Sequence, residues 1–246
     1  MNVDQGKQEL REKVWTLLED NRAVPPDANR NIPAFVGADE AAAALSRLPI
    51  WKNANILKTV PDTAQLPVRV RALEDGKIVY MAVPRLAAPK PFYALDPDKI
   101  KVPAAEAAKK STAARIGRNV DVDEMLPVDL VVIGSVAVNN KGVRIGKGAG
   151  YSDIELALLQ EFGLITPDTP IVTTVHPLQI VDGDLPEAEH DFRVDLIVTP
   201  DGVIQCTDRR RPTGILWDSL PPEKIAAIPA LAARKARLQS RQERNP

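Results

Sequence analysis

Apolar residues recur every three or four positions in several parts of the chain, which predicts amphipathic helices. The pattern is already clear near the start, where leucine and valine alternate with charged residues. Pro67 fits the first turn of one such helix, because proline lacks the N–H group that stays unpaired there. Asp39 is an acceptable N-cap for another helix, and Gly163 ends a third. The predicted helices are residues 4–21, 39–48, 68–73, 104–118, 154–162 and about 223–239.

Short runs of apolar and β-branched residues between these helices predict strands. The strongest run, DLVVIGSVAV at residues 129–138, is typical of a central parallel strand that is buried on both faces. The other predicted strands are residues 55–60, 77–83, 170–175, 194–198 and 203–207. Strands and helices alternate, with connections too long for simple hairpins. The sequence therefore predicts an α/β fold with a mostly parallel sheet and helices on both faces.

Composition narrows the class of protein. Lys and Arg total 32 against 33 Asp and Glu, so net charge does not favour nucleic acid or an anionic membrane as the main partner. Cys206 has no second cysteine to pair with, the N-terminus lacks a signal segment, and no apolar stretch approaches the roughly 20 residues of a membrane span. We expect a cytoplasmic protein with a single domain at 1–246, ending in a basic helix at about 222–246.

Basic residues are concentrated in the last part of the chain. No aromatic platform of the kind that single-strand nucleic-acid binders use adjoins them, so a nucleic-acid role is not expected. A solvated helix or a subunit contact is the favoured interpretation, and the oligomeric state is left open. The basic residues are Arg209, Arg210, Arg211, Arg234, Lys235, Arg237, Arg241 and Arg244.

The sequence RIGKGAGYSD at residues 144–153 is the strongest candidate for chemistry. Its glycines at alternate positions let the backbone take positive φ and approach a ligand, so that successive N–H groups form one concavity. The helix that follows adds its unpaired N–H groups and positive dipole end. Arg144 and Lys147 supply charge on a turn predicted to face solvent, and Asp153 is a hard ligand suited to Mg²⁺. This pattern predicts binding of a triphosphate.

A structural interpretation of the same residues stays open. Ser152 and Glu155 are three positions apart, which fits a capping box that starts the helix. In that case Ser152, Asp153 and Glu155 would serve the helix, while the glycines would make a tight turn.

The order of strand, glycine loop and helix resembles the signature of the 5-formyltetrahydrofolate cyclo-ligase (methenyltetrahydrofolate synthetase) family. Lys7 and Arg11, four apart on one face of the first helix, match the pair with which that family reaches ATP phosphates. The chain is most similar to the branch of methenyltetrahydrofolate synthetase domain-containing proteins, on features such as NIPAFVGA at residues 31–38 and GAGYSDIE at 148–155. The resemblance implies a three-layer α/β architecture of the cyclo-ligase type.

The resemblance also implies the site residues and the reaction. The reaction would be ATP-dependent closure of 5-formyltetrahydrofolate to 5,10-methenyltetrahydrofolate, with Arg144 and Lys147 as catalytic cations and Asp153 as the Mg²⁺ ligand. The implied ATP-binding residues are Lys7, Arg11, Arg144, Gly146, Lys147, Gly148, Ala149, Gly150, Tyr151 and Ser152.

One departure from the family pattern keeps two alternatives open. The acidic residue that helps to hold folate at the start of a helix is replaced here by Leu66, Pro67 or Val68. The chain would then use ATP on a different heterocyclic acceptor, for example a thiamine-related one, or would bind nucleotide as a non-catalytic regulatory module.

Other chemically capable residues are interpreted as structural. An imidazole group is suited to acid–base chemistry near neutral pH, which makes His176 and His190 candidates, but hydrogen bonding is favoured over catalysis, since His190 and Asp191 would face opposite ways on a strand. Cys206 is expected to be an inert core residue. The aromatic residues that would stack on a ring are equally well explained as core anchors: Trp15, Trp51, Tyr80 and Tyr93.

Overall fold

The computed structural model describes residues 2–26, 28, 30–211 and 214–242, with the side chains of 241 and 242 excepted, so the predicted basic residue Arg244 lies outside it. Its helices are α1 Val3–Asp20, α2 Ala38–Ser46, α3 Pro49–Lys52, α4 Leu66–Glu74, α5 Ala104–Ala107, α6 Lys110–Ile116, α7 Tyr151–Glu161, α8 Pro222–Ala227 and α9 Pro229–Gln242. Its strands are β1 Ile56–Thr59, β2 Ile78–Ala82, β3 Phe92–Leu95, β4 Arg118–Val120, β5 Leu130–Ile133, β6 Ala137–Val138, β7 Arg144–Ile145, β8 Ile171–Thr174, β9 Leu196–Val198 and β10 Val203–Gln205.

Eight strands form one sheet in the order β10-β9-β8-β5-β1-β2-β3-β4. The five central strands, from β9 to β2, run parallel. Antiparallel strands close both edges, with β10 beside β9 and the pair β3 and β4 beside β2. The predicted mostly parallel α/β sheet is confirmed.

Successive residues of the central strand β5 point into two separate cores, as expected for a strand covered on both faces. Leu130 and Val132 pack in the core that includes residues of α2 and α4. Val131 and Ile133 pack in the core that includes residues of α7, α8 and α9. Helices therefore cover both faces of the sheet. In the described residues, no helix is long and apolar enough to cross a membrane, whereas the cytoplasmic location stays a prediction.

The run at residues 129–138 is not one strand. It leaves the sheet after Ile133, and β6 pairs with β7 as an antiparallel hairpin in a separate two-stranded sheet. A Cβ atom on Gly134 would lie 2.7 Å from Ile32, so the chain passes too close to its neighbour there for a side chain. Apart from Gly134 and Ser135 the run is apolar on both sides of the bend, and a buried hairpin strand has the same composition as a central one.

Helix boundaries were wrong in three places. Gly37, in left-handed geometry with φ +91°, is the N-cap of α2 instead of Asp39. The helix at 104–118 is divided by the extended residue Lys109 and gives way to strand β4, which the sequence missed together with β3. The final helix breaks at Ile228, since a residue before proline disfavours helical geometry, and α9 then begins at Pro229.

Candidate functional site

The glycine loop connects the buried hairpin strand β7 to helix α7, in the predicted order of strand, loop and helix. Gly148 and Gly150 have φ values of +98° and +66°, a region that L side chains rarely adopt. Gly150 is also the N-cap of α7, so the first N–H groups of that helix open toward the loop. Loop and helix together form a concave surface of backbone donors, which is suited to an anion.

The predicted capping box is wrong. No side chain caps α7, and Ser152 lies one residue inside the helix. The Glu155 carboxylate instead accepts a hydrogen bond of 2.5 Å from the fully buried Lys58 Nζ on β1. A glycine N-cap is thus followed by a buried ion pair that connects the N-terminal half of α7 to strand β1.

Helix α1 brings its two predicted cations to the glycine loop. Arg11 Nε donates to the Gly146 carbonyl at 2.7 Å, and a Cβ atom on Gly148 would lie 3.2 Å from the guanidinium carbon of Arg11. Lys7 is buried and its Nζ lies 2.5 Å from Asp191 Oδ2. Burial lowers the pKa of Arg11, although Asp4 and Asp191 oppose the shift. The residues expected from the family resemblance therefore converge in space.

Arg144 is buried, not solvent-facing as predicted. Its guanidinium lies 4.4 Å from the centre of the Phe192 ring and 3.4 Å from Asp153 Oδ1, and it donates to the Gly134 carbonyl at 3.3 Å. Its Nε has no hydrogen-bond partner among the described residues. Arg144 is therefore held in position by its surroundings while part of its donor capacity is left over.

Lys147 differs from Arg144 in both exposure and partner. Its side chain is 38% exposed, and its Nζ lies 3.1 Å from Asp62 Oδ1, across from the glycine loop. An exposed lysine with one ion pair can change partner at little cost. The site therefore combines one fixed cation with one that is free to move.

Asp153 projects from the first turn of α7 into the same region. Burial raises the pKa of Asp153, whereas the positive charge of Arg144 works against that rise. A cavity of about 100 Å³ lies between the loop, α1 and Asp191. It is lined by Asp4, Lys7, Arg11, Arg144, Gly146, Lys147, Gly148, Ala149, Gly150, Tyr151, Ser152, Asp153, His190 and Asp191.

The two histidines have different surroundings. His176 caps a short 3-10 helix, where its Nδ1 accepts a hydrogen bond of 3.2 Å from the Leu178 N–H group, as the predicted structural role requires. His190 and Asp191 are not on a strand, and both line the cavity, so the prediction that they face opposite ways is wrong. His190 Nε2 lies 3.7 Å from Asp191 Oδ1.

The remaining candidates lie outside the cavity. Trp15 and Trp51 donate from their indole N–H groups to the Asn31 carbonyl and to Asp75, and Tyr80 and Tyr93 are buried in the core. Several basic residues of the C-terminal part form ion pairs with the body of the protein. These pairs are Arg209 and Arg211 with Asp195, Arg210 with Glu187, and Arg234 with Glu161.

Some residues at the site were not predicted, and three of them make direct contacts there. Asp62 and Asp191 contact predicted cations, and Lys224 Nζ donates to the Ala149 carbonyl from the C-terminal segment. Asp191 stands in the HD dipeptide that the sequence analysis singled out, so that motif was an available signal. Asp62 and Lys224 lie far from the loop in sequence, and no local pattern marks them.

Comparison with known proteins gives the family. The sequence profile of the 5-formyltetrahydrofolate cyclo-ligase family matches residues 3–200. The chain belongs to the 5-formyltetrahydrofolate cyclo-ligase family. The match covers α1 and the glycine loop, so the predicted family resemblance is confirmed.

Relatives and a solved structure agree with this family. Methenyltetrahydrofolate synthase domain-containing proteins from Mus musculus and Bos taurus are 39% and 38% identical over 246 and 238 residues. These alignments cover 94% and 92% of this chain, but the chain spans only 64% and 61% of those relatives. The 5,10-methenyltetrahydrofolate synthetase of Aquifex aeolicus superposes with a TM-score of 0.54 at 21% identity, over 85% of this chain and 95% of that one. This last likeness concerns the fold.

Proposed function

We propose that this cyclo-ligase family member uses ATP to close 5-formyltetrahydrofolate to 5,10-methenyltetrahydrofolate, with release of ADP and phosphate. One observation carries the proposal. Lys7 and Arg11 from α1, Arg144 from β7 and Lys147 from the loop all line the cavity at the N-terminus of α7. Backbone donors and cations in such a concavity match the charge and shape of a polyphosphate.

The reaction needs no protein nucleophile. It requires that the protein align its two substrates. The formyl oxygen attacks the γ-phosphorus of ATP and ADP leaves. N10 of the folate then attacks the activated formyl carbon and gives up its proton to the departing phosphate, which carries the formyl oxygen away. Charge spreads over the transferred phosphoryl group, so cations and N–H groups aimed at it lower the barrier. Arg144 supplies such a fixed charge. Lys147 supplies a movable one once it leaves Asp62.

Asp153 and Asp191 fit a Mg²⁺ ion that arrives with the nucleotide. Mg²⁺ at phosphates keeps several waters and takes one or two protein carboxylates, and it would neutralise charge on the phosphates. Asp153 Oδ1 accepts a hydrogen bond from Arg144, and among the described residues nothing donates to its Oδ2. We expect nucleotide affinity, measured by calorimetry, to fall when the metal is removed with a chelator, and to fall less in Asp153→Asn, which has already lost the ligand.

A second function, the same ATP chemistry on a different heterocyclic acceptor, is supported by the start of α4. Leu66, Pro67 and Val68 provide no carboxylate there. Asp62, the acidic residue nearest in sequence before α4, is paired with Lys147. If 5-formyltetrahydrofolate is not turned over, a panel of heterocyclic acceptors that includes thiamine-related compounds would be tested for stimulation of ATP hydrolysis.

Turnover with purified full chain tests the proposal directly. With MgATP and 5-formyltetrahydrofolate, we expect ADP release in step with growth of the methenyl absorbance band. Lys147→Ala should reduce turnover by at least roughly tenfold, as removal of one transition-state contact does. Lys141→Ala is the matched control, because Lys141 is also an exposed lysine on a loop but pairs with Asp184 outside the cavity. Nucleotide binding without turnover of any acceptor would instead support a regulatory module.

A further inference from the structure

The C-terminal segment reaches the glycine loop from outside the part of the chain that the family profile matches. That match ends at residue 200, whereas Lys224 lies in α8. Lys224 Nζ donates to the Ala149 carbonyl in the middle of the loop and lies 4.9 Å from the centre of the Tyr151 ring. A Cβ atom on Gly150 would lie 3.2 Å from the same nitrogen. The ammonium group therefore sits directly against the N-terminus of α7.

The partners of Lys224 leave its charge incompletely balanced. It is half-buried, and neither a carbonyl oxygen nor an aromatic face carries a full negative charge. Burial lowers the pKa of Lys224, with the negative charge of Asp153 opposing that shift. An ammonium group has three donors, and Ala149 is the one hydrogen-bond acceptor that it contacts among the described residues. A desolvated cation of this kind is stabilised when an anion binds beside it.

A second cavity, of about 210 Å³, lies next to Lys224 and continues the first. The two share the loop residues Gly148, Ala149 and Gly150, together with Asp153 and His190. The outer wall of the second cavity is built by the C-terminal segment, and its lining is mostly apolar. The apolar residues are Ile154, Ala157, Ile215, Leu216, Leu220 and Pro221.

The opposite end of the loop is different. There Lys147 borders a cavity of about 500 Å³ that is also lined by Asn31, Asp62, Thr63 and Lys110. A nucleotide has one flat, largely apolar end and one anionic end, and the glycine loop lies between an apolar cavity and a polar one. The apolar cavity suits a heteroaromatic base, which leaves the polar cavity for the phosphate acceptor.

We infer that residues 214–224 complete the nucleotide site: the apolar cavity takes the base of ATP, and Lys224 contacts its phosphates. The inference rests on the proposed binding of ATP at the glycine loop and adds to it a segment outside the family match. The base would lie against Leu216 and Leu220. The phosphates would pass along the loop from Lys224 toward Lys147.

Two substitutions test binding of the base and binding of the phosphates separately. Binding to the full chain would be measured by calorimetry with MgATP and with magnesium tripolyphosphate, which has no base. Lys224→Gln should weaken both ligands by at least about tenfold, the effect of one lost charge-assisted contact. Leu216→Asn should weaken MgATP by a similar factor and leave tripolyphosphate unchanged, because it alters only the apolar cavity.

Matched controls lie in α9, outside residues 214–224. Arg237→Gln also removes one positive charge, and Leu238→Asn makes the same change at an exposed leucine; neither residue lines the cavity. Both controls should bind like the unmodified protein, and thermal unfolding of all four variants would establish that they are folded.

The outcomes distinguish this inference from the proposed function. If the unmodified chain binds neither ligand, ATP binding itself is wrong. If it binds MgATP and both Lys224→Gln and Leu216→Asn match their controls, the C-terminal segment has no part in the site. If only Leu216→Asn matches its control, the base lies elsewhere and the assignment of the apolar cavity is overturned. Equal loss of both ligands in Leu216→Asn would also overturn that assignment.

Discussion

Replacement of Arg144 by methionine should destabilise the fold as well as weaken nucleotide binding. The substitution removes a buried guanidinium and leaves the Asp153 carboxylate without the cation that lies 3.4 Å away. The bond to the Gly134 carbonyl and the contact with the Phe192 ring are lost with it. Lys147→Met is the matched comparison, because it removes a cation from the same loop that is exposed and paired with Asp62.

The expected magnitude follows from the burial of this pair. Removal of one partner of a buried ion pair costs about 3–5 kcal/mol, because the other charge is left uncompensated. The distance of 3.4 Å is long and Asp153 can take up a proton, so we expect a smaller loss, about 2–3 kcal/mol at neutral pH. For a chain of this length that corresponds to a fall in Tm of roughly 5–10 °C. Lys147→Met should cost less than about 1 kcal/mol.

The loss of unfolding free energy in Arg144→Met should depend on pH in a defined direction. Burial raises the pKa of Asp153 above its unfolded value, so the folded protein binds more protons than the unfolded one between these two values. Stability therefore falls as pH rises through that window. Without Arg144, the pKa of Asp153 in the folded protein rises further. The pH range over which stability falls then extends to higher pH. The deficit of Arg144→Met relative to the unmodified protein should thus be largest near pH 7 and shrink toward about pH 4, the ordinary range of a carboxyl group.

A double-mutant cycle with Asp153→Asn measures the interaction itself. Urea unfolding of the two single variants, the double variant and the unmodified protein should give a double variant more stable than the sum of the single losses, because no charge is left unpaired. Additivity within about 0.5 kcal/mol would show that Arg144 does not compensate Asp153. Equal and small losses in Arg144→Met and Lys147→Met would refute the assignment of Arg144 as a buried anchor.

Three further predictions concern a buried ion pair beside the site, the glycine loop, and Cys206. Lys58→Met should cost about 3–5 kcal/mol in urea unfolding, since it leaves Glu155 buried and unpaired, and Glu155→Leu should restore much of that loss in the double variant. Gly148→Ala should weaken nucleotide binding in calorimetry, because the added Cβ meets a guanidinium, whereas Gly76→Ala has similar φ strain in open space and should destabilise the fold without affecting binding. Burial raises the pKa of Cys206 to about 12, so the folded protein should resist alkylation at pH 8 and react only in denaturant; rapid labelling of folded protein would contradict this.

The elements that the sequence predicted well are those whose signal is local. Helix α1 has a regular apolar spacing, and Gly163 ends α7 with a φ of +66°, as a residue after a helix often does. Strands β3 and β4 were missed because they are short, partly polar or flanked by prolines, and their pairing at the sheet edge is a tertiary contact. Gly134 shows the same limit. The space for a side chain there is taken by Ile32, which is distant in sequence.

The residues of the site also fall into those with a local sequence signal and those without one. Lys7, Arg11 and the glycine loop were identified because each stands in a short pattern, and the structure brings them together. The burial of Arg144 could not be read from its neighbours in sequence, because the Phe192 ring that covers it comes from a distant segment. The position of Lys224 was even harder to predict, since nothing in its own helix distinguishes it from the exposed basic residues that follow.

The charges of the site also set a limit on the affinity for anions that we propose. Lys7 is paired with Asp191, Arg144 with Asp153 and Lys147 with Asp62, so most of the positive charge at the loop is already balanced. Arg11 contacts the loop through a carbonyl oxygen, and Lys224 does the same. These two residues therefore supply most of the uncompensated charge. A polyphosphate without metal would meet carboxylates as well as cations, and a divalent ion shared between phosphates and carboxylates would convert that repulsion into attraction.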